Sequence, residues 1–569
     1  MAIFEKTSHT KALIDDTEKL SCTVENAQNI NKHTEYILRV QRGPTKDTKW
    51  YVSRRYRDFA ALHAGLVQAN IDLLLPPKKL IGNMQPAFIA ERQIALQNYI
   101  NEVLKHEVLA LSLQVRSFLD PSNYSLDIAE HALQTVSIAL RGDGRYELKG
   151  PLPDIGWRIR KHYFLVTDTE TRTNCLLSWQ SYGADKYLSD KDLQTAFKSL
   201  QNLSHPYIDQ VLAIHNLETG TFVVRRIHEN GSLRDILYGT EYNKNHLAKY
   251  GNPRIRKPFT TGQIAHYGYQ ILQALKFLHE KGIPHGHIHP GNIAIENQRA
   301  LLMDVENILV GVPCLYRPHL LQLRRAATAE AVDVYCFGRT LYEMSFGCTL
   351  QEYHCDDYPE GISEDLESVL RLCLSSSSCK HGGPSLEQLL QHPLFARAPL
   401  NGLTLGAQND ARTHLKFPLT LKDELKIAVA NIEARLKSDQ KLVRSAKREV
   451  RIQEILCSEE EIKKQRRRAK KRDSLWKSTS SLAETVRSQS ASTASSPTPS
   501  LAISCGPHTC GRWQALRKYM DTACSRPLGV VASEWPVCGW SYSPLLLSHS
   551  CEISYFIMII FRYKIILKM

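Results

Sequence analysis

No CxxC pair occurs among the fourteen cysteines, which excludes the usual zinc-ribbon and thioredoxin-like motifs. The N-terminus, MAIFEKTSHTK, lacks the charged-then-apolar order of a secretory signal, and together these absences predict a reducing, cytosolic setting. Long apolar runs are missing too. The longest, Tyr555 to Phe561, falls far short of the ~20 residues that span a bilayer, and Arg562 and Lys564 end it, so no transmembrane helix is expected. Internal repeats are also absent.

What is present is a chain of 569 residues, 43% hydrophobic, with room for three or four domains at ~150 residues each. Lys and Arg number 72 against 58 Asp and Glu, a net +14 that favours anionic partners such as phosphoinositides, acidic membrane or nucleic acid. The excess is uneven. From Lys422 to Arg472 there are 17 basic and 9 acidic residues, whereas the first 125 residues carry 16 and 13.

From Lys19 to about Arg55 the sequence reads as strands broken by a Gly43-Pro44 turn, and helical spacing follows over Asp58–Leu66 and Phe88–Leu104. A second globular stretch begins near Arg141, strand-like through HYFLV, NCLLSW and TFVVRRI and helical from Ile264 onward, which predicts a small β-rich lobe before a larger helical one. Beyond Pro399, Leu425, Val429, Ile432, Leu436, Val443, Ala446 and Val450 fall three and four residues apart. Asp439 and Gln453 interrupt that stripe, so an amphipathic helix is expected rather than a durable coiled coil. In Lys463–Arg472, KKQRRRAKKR, eight of ten residues are basic, and half of the 28 residues from Asp473 to Ser500 are Ser or Thr, which predicts a disordered linker open to phosphorylation.

The cluster Arg54-Arg55-Tyr56-Arg57-Asp58-Phe59 places cations and an aromatic where a strand yields to a helix. LLLPPKK then supplies two prolines with Lys78 and Lys79, and FIAERQIALQNYI carries Arg92. An inositol phosphate needs this chemistry: forked Arg and point-charge Lys donors for phosphates, and an aromatic face for the ring. A lone RRYR is ordinarily a solvated face, but four elements in this order resemble the PX (phox homology) family. The resemblance implies that Arg55 grips a 3-phosphate, Tyr56 packs on the inositol ring, Lys78 meets the 1-phosphate and Arg92 binds ring hydroxyls. Leu80 and Ile81 become the residues that dip into the bilayer, and phosphatidylinositol 3-phosphate becomes the preferred lipid.

A second set of motifs runs from HENGSLRDIL at 228–237 through QIAHYGYQILQALKFLHEKGIPHGHIHPGNIAI, LLMDVEN and DVYCFGRTLYEM to LEQLLQHPLF. This spacing resembles the protein kinase fold, and each catalytic part of that family can be checked against this chain. His287 stands where the loop's catalytic Asp belongs, and His289 where its Lys belongs. Ser178 or Trp179 occupies the phosphate-gripping Lys position on NCLLSW, and Ala196 replaces the partner Glu on the following helix. No GxGxxG occurs in a suitable place, and DFG has become DVE, with Glu306 for Gly. Asn292 and Asp304 keep the family's two metal-ligand positions, so no cofactor is required while weak Mg-ATP binding remains an option. Between Asp304 and Ala327 only Tyr316 carries a phosphorylatable hydroxyl. His285, His287 and His289 form HxHxH, but Pro284, Gly286 and Pro290 argue for a loop, so no metal site is expected.

The expected fold class is therefore α+β and multidomain: a PX domain over 13–125, a bilobal kinase-like domain over 141–397, a basic amphipathic helix over 398–472 and a Ser/Thr-rich tail over 473–569. The basic run can meet acidic lipid, RNA or an import receptor. Lipid is preferred, and nucleic acid is not expected because only Trp476 lies near the run. This domain order resembles a family of PX-containing kinase-like proteins. That resemblance implies an endosomal adaptor, cytoplasmic and peripheral on endosomal or plasma membrane, that modulates trafficking of membrane proteins, with sodium/potassium-ATPase beta subunits as partners. The family's C-terminal actin-binding WH2 segment has no LKKT-like counterpart here, so actin is a doubtful partner. The contrasting reading is a weak atypical serine/threonine kinase that uses His287 as base.

Overall fold

The computed structural model describes residues 14–488, apart from 32, 45–47, 80–83, 125–126, 157, 253–254, 325 and 398–412. Strands β1 (Leu20–Ile30), β2 (His33–Arg42) and β3 (Lys49–Arg55) form an antiparallel sheet in that order, and its register sets Glu35 opposite Arg55. Helices α1 (Tyr56–Leu66), α2 (Pro86–Lys105), α3 (Glu107–Ala110) and α4 (Leu113–Leu119) cover the sheet. Phe59 is fully buried at their centre, edge-on to Phe118 at 5.0 Å and to Tyr36 at 6.3 Å, the geometry that the ring quadrupoles favour.

Helix α5 (Asp127–Asp143) leads into a five-stranded antiparallel sheet ordered β4-β5-β6-β8-β7. Its strands are β4 (Tyr146–Pro151), β5 (Lys161–Asp168), β6 (Asn174–Ser181), β7 (Ala213–Asn216) and β8 (Gly220–Arg226), with α6 (Asp190–Gln201) between β6 and β7. The expected boundary near Arg141 falls inside α5. Ala132, Val136 and Leu140 of that helix share an apolar cluster with Trp179 and Phe222 of the sheet, so packing assigns α5 to the second domain.

The larger lobe contains α7 (Leu233–Leu237), α8 (His246–Tyr250), α9 (Thr261–Glu280), the β9 (Ile293–Glu296) and β10 (Arg299–Leu302) ribbon, α10 (Arg317–Leu320) and α11 (Ala329–Phe346). Helices α12 (Glu364–Leu374), α13 (Ser376–His381), α14 (Leu386–Gln391) and α15 (Pro393–Ala396) complete it. Helix α9 starts at a Thr260–Gln263 capping box, and α11 stops at Gly347, whose φ of 62° suits glycine. The two globular parts are joined through packing. Leu247 of α8 lies in the apolar core of the first domain, and a Cβ on Gly251 would collide with Ala69, so glycine permits the approach.

The last helix, α16 (Leu419–Ser488), continues past Asp473 into the stretch expected to be a disordered linker. Leu421, Leu425, Ala428, Leu436 and Val443 are buried, and Asp439 does not break the stripe as the sequence pattern suggests. Its carboxylate accepts from Arg317 Nη2 at 2.6 Å, an ion pair to the domain beneath.

Candidate functional site

In the first domain, Arg55 ends β3 and caps α1, its backbone N–H donating to Asp58 at 2.7 Å. Its guanidinium, 36% exposed, meets Glu35 through Nε at 3.3 Å. Ser53 and His33 donate to the same carboxylate and, with Arg55, draw its pKa down to about 2. Glu35 thus occupies Arg55 while leaving the guanidinium open to solvent. Tyr56 donates its hydroxyl to the Pro76 carbonyl at 2.5 Å, and Arg92 donates to the Pro77 carbonyl at 2.8 Å.

The Arg92 guanidinium lies 4.4 Å from the Tyr56 ring centroid and 4.3 Å from that of Phe88. Arg92 is buried, and among the described residues its Nε has no hydrogen-bond partner. Tyr56, Arg92 and the Pro-Pro turn therefore come together, Lys78 is exposed on that turn, and Lys79 rests over Phe88 at 4.3 Å. Arg54 is set apart from the pocket, donating to the Phe118 carbonyl at 2.6 Å. Leu80 and Ile81 lie outside the described residues.

The second candidate is a cleft of about 190 Å³ beneath the five-stranded sheet, below the ~300 Å³ at which small-molecule pockets usually begin. Strand alternation turns Ser178 into it and Trp179 into the opposite apolar layer, so of the two candidates for the missing Lys position only Ser178 faces the cleft. Ala196 is buried in apolar core and brings no carboxylate. The cleft nevertheless has a lysine. Lys161, at the start of β5, places its ammonium 2.7 Å from Asp304. Sequence reasoning missed it because the family places this cation one strand later, on β6.

Arg225, at the end of β8, forks onto Glu306 at 3.2 and 2.5 Å, and lies 3.5 Å from Asp209 and 3.7 Å from Asp304. Glu306 is thus a buried counter-ion. Burial opposes charge on Asp304, yet Lys161 and Arg225 hold its carboxyl well below the usual range. Its φ of 64° keeps it in the left-handed region, aimed at these cations.

His287, 1% exposed, has Nδ1 3.2 Å from the Arg158 guanidinium. Burial and that neighbouring cation push its pKa well below the ordinary value, so it stays neutral and is a poor proton acceptor. His289 Nδ1 accepts the Gly291 N–H at 3.0 Å. Asn292 donates to the His287 carbonyl and accepts the His289 N–H at 3.1 Å, which spends its amide on holding the loop. His285 contacts the Met303 carbonyl through Nε2 at 2.9 Å and accepts the His287 N–H at Nδ1 at 3.2 Å. The loop hangs from Asp333 of α11, which accepts the His285 and Gly286 N–H groups at 2.9 and 2.7 Å, a role without an obvious local signal. Among the described residues no three His, Cys, Asp or Glu gather as metal ligands. Tyr316 is 3% exposed and closed to a modifying enzyme in this fold.

Helix α16 covers this loop. Val429, Ile432 and Leu436 share a cavity of only about 50 Å³ with Gly286, His287 and Ile308. Arg435 clamps the arrangement, reaching Asp185 at 2.7 Å and Asp15 at 3.1 Å. Replacing Arg435 with Ala is expected to loosen this docking by about 1–3 kcal/mol, because two buried carboxylates lose a partner. Hydrogen exchange should then speed up in Val429–Leu436 and in the 285–292 loop, and unchanged protection would show that the clamp contributes nothing.

Comparison with known proteins fits this geometry. A PX domain family model matches residues 43–122 and a protein kinase domain model matches 180–395. The chain is 42% identical over 454 residues to the mouse (Mus musculus) PX domain-containing protein kinase-like protein, covering 80% of this chain and 77% of that one. The Slowpoke-binding protein of Drosophila melanogaster is 36% identical over 304 residues, 48% of this chain and 57% of its own. A Dictyostelium discoideum protein named probable inactive serine/threonine-protein kinase slob1 is 26% identical over 291 residues, 45% of this chain and 48% of its own. A PX domain joined to a kinase-like domain, with identity running through both, makes this chain a member of the PX domain-containing protein kinase-like family.

Proposed function

We propose that the chain is a phosphoinositide-binding adaptor whose kinase-like domain is catalytically silent. One observation carries the silent half of this reading: the cleft's charges neutralise one another. Lys161 and Arg225 are spent on Asp304, Glu306 and Asp209, and the residue in the catalytic-base position faces a guanidinium. A nucleotide triphosphate and its metal would have to break these pairs, and α16 lies where a protein substrate would approach His287.

The membrane half rests on Arg55, Tyr56, Lys78 and Arg92, which fit a 3-phosphorylated inositol headgroup by family resemblance. Endosomal placement and action on membrane-protein cargo, including sodium/potassium-ATPase beta subunits, follow from the same resemblance. A relative named for binding Slowpoke is consistent with a protein partner. Replacing Arg55 with Ala is expected to lower retention on phosphatidylinositol 3-phosphate vesicles at least ~10-fold, since a charge-assisted contact contributes about 1.5–3 kcal/mol. Retention at the wild-type level would remove Arg55 from the headgroup site.

The kinase reading draws on Lys161 beside Asp304, which supplies the cation missing from β6. The adaptor reading expects no thermal shift with Mg-ATP. A clear shift that Asp304→Ala abolishes would revive the enzyme.

A further inference from the structure

Helix α16 changes character at about Val450. As far as Leu436 its buried residues share the apolar core of the kinase-like domain, and Val443 is buried on the same helix beside Pro318, Leu321 and Thr17. Beyond Val443 the apolar positions move to the other side: at about 100° per residue, Ile452, Ile455, Leu456 and Ile462 fall within an arc of ~120° on the side opposite Val443. They are 47, 50, 48 and 49% exposed, and none belongs to an apolar cluster among the described residues. Cations flank this arc. Arg448 lies on it one turn before Ile452, Lys463 and Arg466 lie on it after Ile462, and Arg467 and Arg468 follow, all exposed. Glu459 is the one acid within the arc, and it stands four residues before Lys463, the spacing at which opposite charges on a helix offset each other.

We propose that this outward face, Ile452 to Arg468, is a second membrane-contact element whose ligand is an anionic bilayer surface. The apolar arc enters the headgroup boundary while the flanking Lys and Arg meet acidic headgroups. No helix among the described residues is long and apolar enough to cross a membrane, so the segment lies in the plane of the interface.

A second copy of the chain fits less well as the occupant. The apolar arc runs for only ~15 Å of helix, short of the three to four heptads that a coiled coil sustains, and a parallel partner would set the basic run against itself. The element extends the adaptor reading, because two weak membrane contacts on one chain raise retention multiplicatively.

Flotation of the full chain with phosphatidylcholine vesicles, with and without phosphatidylserine and free of phosphoinositide, tests the proposal. The wild type should bind only the phosphatidylserine vesicles. The double substitution Ile455→Glu and Leu456→Glu should lower that binding at least ~10-fold without changing the melting temperature, since both side chains are half exposed. Substituting Lys463, Arg466, Arg467 and Arg468 with Gln should have a similar effect. Vesicles carrying phosphatidylinositol 3-phosphate but no phosphatidylserine read the PX pocket separately, so failure of one contact is told from failure of the other. Absence of wild-type binding to phosphatidylserine overturns the proposal, as does full binding by the double-Glu protein. So does a dimer in sedimentation that the same substitution dissociates, which would make a second copy the occupant.

Discussion

Replacing Arg225 with Ala should destabilise the fold by about 3–5 kcal/mol, the range found when one partner of a buried ion pair is removed. Glu306 would lose both of its forked contacts while remaining 3% exposed, and Asp209, 1% exposed, would keep His228 at 3.3 Å as its one ion-pair partner among the described residues. Asp304 is better protected, because Lys161 stays 2.7 Å away. The double replacement Arg225→Leu with Glu306→Leu should recover much of the loss, since the larger penalty is an unpaired buried charge rather than a missing attraction. Chemical denaturation of the wild type, Arg225→Leu, Glu306→Leu and the double replacement measures the coupling. Additive effects would show that the pair is not a unit. A fall much below ~3 kcal/mol for Arg225→Ala alone would mean that water reaches Glu306.

Acid should unfold the protein well before its carboxylates titrate. Burial pushes the imidazoles of His162, His205 and His246 down to about 4 from a reference of 6.5, and His285, His287 and His289 are depressed as well. A depressed pKa means that the unfolded chain takes up protons the native state refuses. Stability is therefore intact above about pH 6.5 and is lost as pH falls toward 4, at about 1–2 kcal/mol by pH 5 for each of His162, His205 and His246.

His279 opposes this trend. Despite its burial, Asp333 at 2.7 Å raises its pKa, so its contribution is present at low pH and is lost as pH rises through the folded value. Burial raises the carboxyls of Glu18 and Glu107, which act in the same sense as His279. His319 and His392 are depressed and join the six, so eight imidazoles against three groups leave a net loss in acid. The unfolding free energy should drop by roughly several kcal/mol between pH 7 and pH 5, and the denaturation midpoint should fall with it. Replacing His205, which lies 4.7 Å from the Phe277 ring, with Phe should make the dependence shallower. An unchanged midpoint across that interval would mean that these imidazoles are solvated in the native state.

Local pattern carried much of the architecture. The alternation and turn signals before Arg55, the Pro-Pro turn with its lysines, and the spacing from the 285–292 loop to DVE and then DVYCFG are all short-range features. Each is readable because backbone geometry ties neighbouring residues to a face or a turn. The meeting of Tyr56 with Arg92 follows from such features, whereas Arg54, adjacent and identical in type to Arg55, holds the Phe118 carbonyl. The placing of His287 in the 285–292 loop is likewise a matter of position in the chain alone.

By itself the amino-acid sequence determined the domain order, a PX domain before a kinase-like domain. Tertiary structure alone decided which charges meet in the cleft and under α16. Lys161 meets Asp304 from a different strand, Arg225 meets Glu306 across 81 residues, and Asp439, an apparent flaw in an apolar stripe, meets Arg317 across 122. Charges so far apart in the chain carry no periodic signature, because ion pairing depends on distance in space and on exclusion of water, and both are set only once the domains and α16 have packed.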